Sequence, residues 1–193
     1  MSRLANYLGY RGSSASAMEL QQRVLDALER AYGPEYPDTL AARGSLARWT
    51  GEAGGAAAAR DQYAALLPVM ERVLGPEHAD VLAASGSLAG WTGSAGHAAT
   101  GRDQYSALLP VEQRVLGPEH PATLVTRNNL AYLTGEADAA AARDQYATLL
   151  PVEQRALGPE HPTTLVTRAN LAEWTGNAGD AQRPATSTPR CCP

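Results

Sequence analysis

The chain has 193 residues, a formal net charge of −4 and a hydrophobic share of 44%. Lysine, isoleucine and phenylalanine are absent, so arginine is the only permanently cationic side chain and much of the apolar share is alanine. The lack of lysine excludes a P-loop or Schiff-base lysine, and an acidic chain without an arginine cluster lacks the electrostatic footprint of a nucleic-acid-binding protein.

Targeting and cofactor signals are missing from the sequence. No stretch approaches the about 18 apolar residues of a membrane span, and MSRLANYLGYRGSS has no apolar run of signal-peptide type. We therefore expect a cytoplasmic protein without a cofactor. Cys191 and Cys192 are adjacent near the last residue, and because a metal site needs about four ligands we interpret them as reduced thiols rather than a redox or metal handle.

A recurring text organises the chain. Gly-Pro pairs begin at Gly33, Gly75, Gly117 and Gly158, at intervals of 42, 42 and 41 residues. LLPVEQRVLGPEHP at 108–121 returns almost unchanged at 149–162. A fixed period of this length indicates stacked supersecondary units, each too thin to be stable alone. The period therefore predicts an all-α solenoid of antiparallel helix pairs.

In chain order, a partial copy comes first, three full repeats follow, and a lone first helix precedes a disordered tail. The faded first copy includes a shortened helix near Leu4 to Gly12. The last copy lacks a second helix because AQRPATSTPRCCP is polar and proline-rich. The predicted array covers residues 1–180, divided as 1–32, 33–74, 75–116, 117–157 and 158–180, with the tail at 181–193.

Each repeat is predicted to hold a first helix, helix A, and a second, helix B. Pro121 suits the first position of helix A, where its missing N–H costs nothing. Gly54 or Gly96 ends helix A, and helix B runs from near Ala56 to Gly75. The predicted apolar stripes are Leu124, Leu130, Ala131, Thr134 and Ala137 in helix A and Ala59, Tyr63, Leu66, Leu67, Val69 and Val73 in helix B.

Two features depart from the sequence expected of an ideal helical hairpin. Pro68, Pro110 and Pro151 lie inside helix B, where a proline costs about 3 kcal/mol, and their common phase predicts a kink that every repeat uses. The third repeat has Ala137-Asp138 where the first has Ala53-Gly54-Gly55, which predicts a tighter hairpin.

Comparison of the copies separates constant positions from variable ones. Three variable positions run at i, i+4 and i+8 on the helix A face opposite the apolar stripe. A constant scaffold with a variable inner ladder suits peptide recognition, although neutral change on a solvent face gives the same pattern. The three rungs are Gly44, Gly86, Asn128 and Ala169; Arg48, Gly90, Tyr132 and Glu173; Glu52, Ser94, Glu136 and Asn177.

Arginine and asparagine recur beside this ladder. Arg43, Arg127 and Arg168 can bind a ligand carboxylate, but an ion pair with an adjacent repeat is the favoured interpretation. Asn129 and Asn170 are poor helix formers, which predicts hydrogen bonds to a peptide backbone or to the neighbouring helix.

Two further motifs have structural interpretations. His78, His120 and His161 share one phase, and we interpret them as helix-entry residues because histidines from separate repeats rarely converge on one metal ion. The Arg-Asp-Gln-Tyr text at 60–63, 102–105 and 143–146 is predicted to place tyrosine in the helix seam with its charges outside. No Ser-His-Asp or Cys-His set occurs at a meaningful spacing, so we expect no catalysis.

At these residues the chain resembles the tetratricopeptide repeat family: Leu-Ala in helix A, glycine at the turn, Ala59 and Tyr63 in helix B. The 42-residue period and the LGPEHP linker are similar to the kinesin-light-chain type. The WTG and LLPV text is similar to actinobacterial repeats often attached to signalling ATPase domains. Gly101 and the early position of Trp49, Trp91 and Trp174 depart from the pattern. The resemblance implies a right-handed superhelix whose inner groove, lined by helix A, binds peptides or proteins.

We therefore expect a non-catalytic scaffold that binds a protein or peptide and neither nucleic acid nor membrane. One alternative is head-to-tail self-association through uncapped ends, because Leu165, Leu171 and Trp174 lack a helix B. Another is a regulatory piece of a larger signalling ATPase-type protein. The predicted groove residues are Arg48, Glu52, Arg127, Asn128, Tyr132, Glu136, Arg168, Asn170 and Glu173.

Overall fold

A computed structural model describes residues 14–181, with side-chain environments for 18–179. The predicted first helix near Leu4 to Gly12, the tail after Ala181 and both cysteines lie outside these residues. The described segment is helical throughout and contains no strand. Its helices are α1 Ser14–Tyr32, α2 Pro37–Glu52, α3 Ala56–Leu74, α4 Ala79–Ser94, α5 Ala98–Val115, α6 Pro121–Gly135, α7 Ala139–Ala156 and α8 Pro162–Ala181.

The chain divides into two compact units, Met1–Leu130 and Ala131–Pro193. In the first unit, α1 packs on α2, α2 on α3, α3 on α4 and α4 on α5; in the second, α7 packs on α8. Helices that contact their sequence neighbours in this way are typical of an α-solenoid. The all-α solenoid prediction is thereby confirmed, while the handedness of a superhelix over the whole chain stays a prediction.

The helices end at the glycines that the sequence predicted. Gly75 closes α3 at φ +93° and Gly54 follows α2 at φ +98°, a left-handed conformation that side chains with a Cβ rarely adopt. The turn before α7 has aspartate instead of glycine. The Asp138 carboxylate caps α7 by accepting a hydrogen bond from the Ala141 N–H at 2.9 Å. Three residues join α6 to α7, as they join α2 to α3, so the two loops are equally long and the tighter hairpin stays a prediction.

The recurring histidines cap the helices that they precede. Nδ1 of His78 accepts a hydrogen bond from the Asp80 N–H at 3.2 Å, and His120 and His161 make the equivalent bond at 3.2 and 3.3 Å. The bond satisfies one of the first backbone donors of the helix, which otherwise have no partner within it. The helix-entry interpretation is confirmed.

The prolines of helix B do not interrupt it. Pro68, Pro110 and Pro151 lie inside α3, α5 and α7, each of which continues for at least five residues beyond its proline. The bend predicted there stays a prediction.

The core is built from tyrosine, leucine and alanine. Ala59, Tyr63 and Leu66 are buried as predicted, with the other predicted helix B residues half-buried at their side. In α6, Leu124 and Ala131 are buried. Ala137 is exposed because it lies beyond the last residue of α6, so its place in the apolar stripe was wrong.

The glycine after Trp-Thr in the first repeat, and after Leu-Thr in the third, makes room for the next repeat's tryptophan. A Cβ added to Gly51 would lie 2.5 Å from the Trp91 ring, and one added to Gly135 would lie 2.5 Å from the Trp174 ring. Such distances are far below van der Waals contact. The missing side chain therefore forms a slot that fixes the spacing of successive helices A.

We predict opposite effects for the same substitution at two helical glycines. Gly135→Ala should lower the free energy of unfolding by about 1–3 kcal/mol, because the tryptophan must shift. Gly176→Ala should raise it by about 0.5–1 kcal/mol, because nothing lies within 4 Å and alanine favours the helix. Urea denaturation followed by circular dichroism measures both. Equal effects at the two sites would contradict the slot.

Candidate functional site

The first rung of the predicted ladder lies in the packing rather than on an open surface. A Cβ added to Gly44 would lie 3.7 Å from Leu66 and one added to Gly86 would lie 3.6 Å from Leu108, so both positions face helix B. Asn128 is only 7% exposed. The prediction that Asn128 belongs to a binding surface is therefore wrong. A row at i, i+4, i+8 turns by about 40° per step, so its first and last rungs face different directions.

The second and third rungs reach the surface. Tyr132 is 46% exposed, Arg48 is half-buried, and Glu52, Glu136 and Glu173 are exposed. These residues are available to a partner, and their role in binding stays a prediction.

In the first unit the ladder is internally paired. Arg48 and Glu52 form an ion pair with an N–O distance of 2.8 Å. The Arg48 guanidinium also lies 4.2 Å from the centroid of the Trp49 ring. Both contacts hold the arginine against its own helix, and the charge of one side chain offsets that of the other.

In the second unit the same rungs are aromatic and acidic. Tyr132 packs edge-to-face on Trp174, with ring centroids 6.1 Å apart and an interplanar angle of 73°. No ion pair within the described part of the chain involves Glu136 or Glu173. Tyrosine replaces the arginine that neutralises Glu52 in the first unit, and the change leaves net negative charge on this surface.

Sequence reasoning missed Val166, which is 52% exposed on α8. It lies seven residues before Glu173, so both residues occupy the same side of the helix. The equivalent residues of the first two repeats are Ala41 and Ala83. The change from alanine to valine at this position could have identified Val166 as a candidate surface residue.

The helix B tyrosines join successive helices A. Tyr105 accepts a hydrogen bond from Asn129 Nδ2 at 3.0 Å, and Tyr146 accepts one from Asn170 Nδ2 at 3.1 Å. Tyr63 instead donates to the Gly44 carbonyl at 2.7 Å. Burial raises the pKa of Tyr105 and Tyr146 to about 12, so both phenols stay neutral. Asn129 and Asn170 were expected to bond either a peptide backbone or the neighbouring helix, and the bond to the neighbouring helix is observed.

The three recurring arginines of helix A differ in their contacts. Arg43 pairs with Glu29 of the preceding helix B at 2.7 Å, which confirms the ion-pair interpretation at that position. Arg168 is exposed and donates to the Pro159 carbonyl at 3.4 Å, and Arg127 is half-buried. A contact of Arg127 or Arg168 with a ligand stays a prediction.

Ion pairs also connect Gly-Pro-Glu linkers to the last turn of a helix B. Glu35 of the first Gly-Pro-Glu linker pairs with Arg72 at 2.5 Å, and Glu77 pairs with Arg114 at 2.7 Å. The arginine hydrogen bond lowers the pKa of each carboxyl. Sequence reasoning missed these pairs, although a constant linker glutamate and a constant arginine in the last turn of helix B were visible. The Arg-Asp pair Arg60–Asp61 lies outside the seam, as predicted.

A buried carboxyl lies in the seam between α5 and α6. Glu112 is 2% exposed and occupies the position of Met70 in the preceding repeat. Burial raises the pKa of Glu112, opposed by a hydrogen bond with Thr126 and by the charge of His120. Thr126 replaces Ala84 of the preceding repeat. The two polar residues therefore changed together, from Met and Ala to Glu and Thr.

We predict a pH-dependent cost from Glu112. A carboxyl whose folded pKa is raised destabilises the fold as pH rises above its ordinary pKa of about 4.5, because the folded state opposes ionisation. Combined Glu112→Met and Thr126→Ala substitutions, which copy the Met70–Ala84 seam, should stabilise the protein by about 1–3 kcal/mol at pH 7. That gain should shrink at pH 4.5.

Urea denaturation at both pH values measures this difference. Thr126→Ala alone is the control and should destabilise the protein, because it removes the hydroxyl partner of Glu112 while the carboxyl stays buried. A gain independent of pH would contradict the role of ionisation.

Within residues 14–181, no helix is long and apolar enough to cross a bilayer. The described side chains also form no group of three or more metal-ligating residues.

The repeat geometry agrees with the comparisons. Residues 1–38 and 39–80 match the family model of the tetratricopeptide repeat. A Podosopora anserina chain described as a putative kinesin light chain with nearly identical TPR-like repeats is 23% identical, with a TM-score of 0.74, and the match covers 94% of this chain and 88% of that one.

Two further solved structures share this fold. A variant form of the same Podosopora anserina chain is 23% identical, with a TM-score of 0.75 and coverage of 94% and 87%. BtubC (BKLC) from P. vanneervenii is 22% identical, with a TM-score of 0.75 and coverage of 93% and 72%. No curated protein matches the chain.

Paired helices, a constant seam and variable exposed rungs define a helical repeat protein. Residues 1–80 match tetratricopeptide repeats in sequence, and the described helices share the fold of TPR-like solved structures. Proteins with this repeat generally mediate protein–protein interaction.

Proposed function

We propose that the protein is a non-catalytic scaffold whose exposed helix A residues bind a peptide or a segment of another protein. One observation carries the proposal. Buried positions such as Tyr63, Tyr105 and Tyr146 are the same in all three repeats, while the exposed rung beside them changes from Arg48 to Tyr132. Packing requires the constant residues, whereas Arg48 and Tyr132 lie partly on the surface, where a partner can reach them.

The second unit offers the better anchor. Tyrosine is enriched among residues that dominate binding energy, because it buries a large area with little loss of conformational entropy. Tyr132 is already held by its edge-to-face contact with Trp174. A partner that covers Tyr132 therefore loses less side-chain entropy than one that must order a freely rotating ring.

The charge of this surface favours a basic segment. Glu136 and Glu173 carry unneutralised charge beside Tyr132, whereas Arg48 and Glu52 neutralise each other in the first unit. A guanidinium or ammonium group can pair with a carboxylate and lie against the face of the tyrosine. An arginine- or lysine-containing peptide meets both features, and its affinity would fall as salt rises.

The test begins with the selection of binders from a random peptide library on the unaltered protein. We expect enrichment of basic peptides and, for the tightest of them, about tenfold or greater weakening by Tyr132→Ala, which corresponds to about 1.4 kcal/mol. Glu173→Gln should weaken binding less and reduce its dependence on salt. Isothermal titration calorimetry measures each dissociation constant.

Tyr36→Ala is the matched control, since Tyr36 is 43% exposed and lies in a linker of the first unit. It should leave affinity unchanged. Peptides that bind equally well to the unaltered protein and to Tyr132→Ala would show that the assigned surface is wrong.

A further inference from the structure

Helix α8 exposes a residue that every earlier helix A buries. Leu165 is 42% exposed, whereas its equivalents Leu40, Leu82 and Leu124 are 0%, 3% and 0% exposed. The sequence context is the same in the third and fourth copies, where Thr-Leu-Val-Thr-Arg recurs. The difference therefore comes from what packs on the helix and not from its own residues.

The exposure continues along one side of α8. Ala172 is exposed, while the equivalent alanines of the inner repeats are fully buried. Nothing lies within 4 Å of a Cβ added to Gly176, although the equivalent Gly51 and Gly135 each face a tryptophan ring of the next helix A. We call the set Leu165, Ala169, Ala172 and Gly176 the α8 face. Its spacing of four, three and four residues places it on one side of the helix.

The opposite side of α8 is already packed. Thr164, Thr167, Trp174 and Ala178 are buried, and α8 packs on α7. The helix is thus seated in the fold on one side only, and the α8 face is a separate surface from the one that contacts α7.

The inner repeats show what covers such a face. Gly44, the equivalent of Ala169, faces Leu66 and Tyr63 of α3, and Gly86 faces Leu108 of α5. The cover is in each case the helix B of the same repeat, 18 or 19 residues long. Residues 182–193 contain three prolines in twelve positions, and proline is unfavourable inside a helix.

Helix α1 corresponds to a helix B, and some of its apolar side chains are incompletely buried. It precedes α3 by one period and buries Gln21 and Leu25. Val24 and Leu28 are only half-buried, whereas their equivalents Leu66 and Met70 are 5% and 3% exposed. The open residues of α1, which line a cavity of about 1020 Å³ shared with α2, include Leu20, Val24, Ala27, Leu28 and Ala31.

We propose that the α8 face of one copy of this chain docks on α1 of a second copy, in head-to-tail order. The contact would reproduce the helix A–helix B interface that the chain builds within itself. Charge supports this pairing, because Arg23 borders the α1 cavity and Glu173 is exposed beside Ala169 on α8. Glu173 borders both this contact and the proposed peptide-binding surface, but the docking contact does not involve Tyr132.

A head-to-tail contact is heterologous, so each added copy leaves one α8 face and one α1 surface open. The assembly therefore grows with protein concentration instead of stopping at a dimer. An isologous α8–α8 contact would stop at two copies.

Complementation between two variants tests the proposal. Leu165→Glu blocks the α8 face and Ala27→Glu, at an exposed residue, blocks α1. Sedimentation velocity over a hundredfold concentration range should show growing oligomers for the unaltered chain and monomers for each variant. An equal mixture of the two variants should form a 1:1 dimer that does not grow, because each variant retains one intact surface.

Val125→Glu is the matched control, since Val125 is as exposed as Leu165 but lies outside both surfaces. It should associate like the unaltered chain. Circular dichroism verifies that each variant is folded. A second measurement uses chains with Cys191→Ser and Cys192→Ser, in which Ala169→Cys on one copy and Val24→Cys on the other should cross-link on oxidation. Gly44, the equivalent of Ala169, faces Leu66, the equivalent of Val24.

Three outcomes would overturn the proposal. The unaltered chain could stay monomeric at every concentration. Ala27→Glu could associate normally while Leu165→Glu does not, which would indicate an α8–α8 contact. The mixture of variants could also fail both to dimerise and to cross-link.

Discussion

The buried tyrosine of helix B is the contact on which the repeat packing depends. Tyr105 lies between the helix A of its own repeat and that of the next, where its hydroxyl meets Asn129. In its own repeat, a Cβ on Gly90 would lie 2.8 Å from that hydroxyl, so the ring is closely fitted. A buried hydroxyl without a partner costs about 1–3 kcal/mol. The next helix A supplies that partner to Tyr105 and, through Asn170, to Tyr146, whereas Tyr63 donates to the Gly44 carbonyl of its own repeat.

This constraint separates the residues that build the array from those that can vary. Tyrosine, the slot glycine and the linker pair of glutamate and arginine recur because neighbouring repeats must meet in the same geometry. On the rung beside the tyrosine, only Gly90 is constrained by the Tyr105 hydroxyl, whereas the larger Arg48 and Tyr132 are accommodated in their own repeats. Arg48 and Tyr132 can therefore differ without loss of packing, and the second unit carries an aromatic, acidic surface where the first carries a neutralised ion pair. Variation of this kind lets a repeat fold acquire a binding specificity at little cost in stability.

Much of the fold was predictable from local sequence. The period, the glycines after each helix and Pro121 at a helix start are local signals, and the helices begin and end where these signals place them. Asn128 was misplaced because helix A is covered on more than one side, which leaves a narrower exposed strip than a one-sided amphipathic helix has. Glu112 was missed because its hydrogen-bond partner, Thr126, lies in the next repeat. The exposure of Leu165 was foreseen from the missing helix B, but its complement on α1 emerged only from the packing.

The most direct test of the tyrosine link is hydrogen–deuterium exchange, resolved by helix, on Tyr105→Ala beside the unaltered protein. If the tyrosine joins two repeats, loss of its ring and hydroxyl should reduce amide protection in α4, in α5 and in α6 up to Leu130, while α2 keeps its protection. Faster exchange confined to α5 would show that each helix pair is stable without the link, and the account of how the repeats hold together would be wrong.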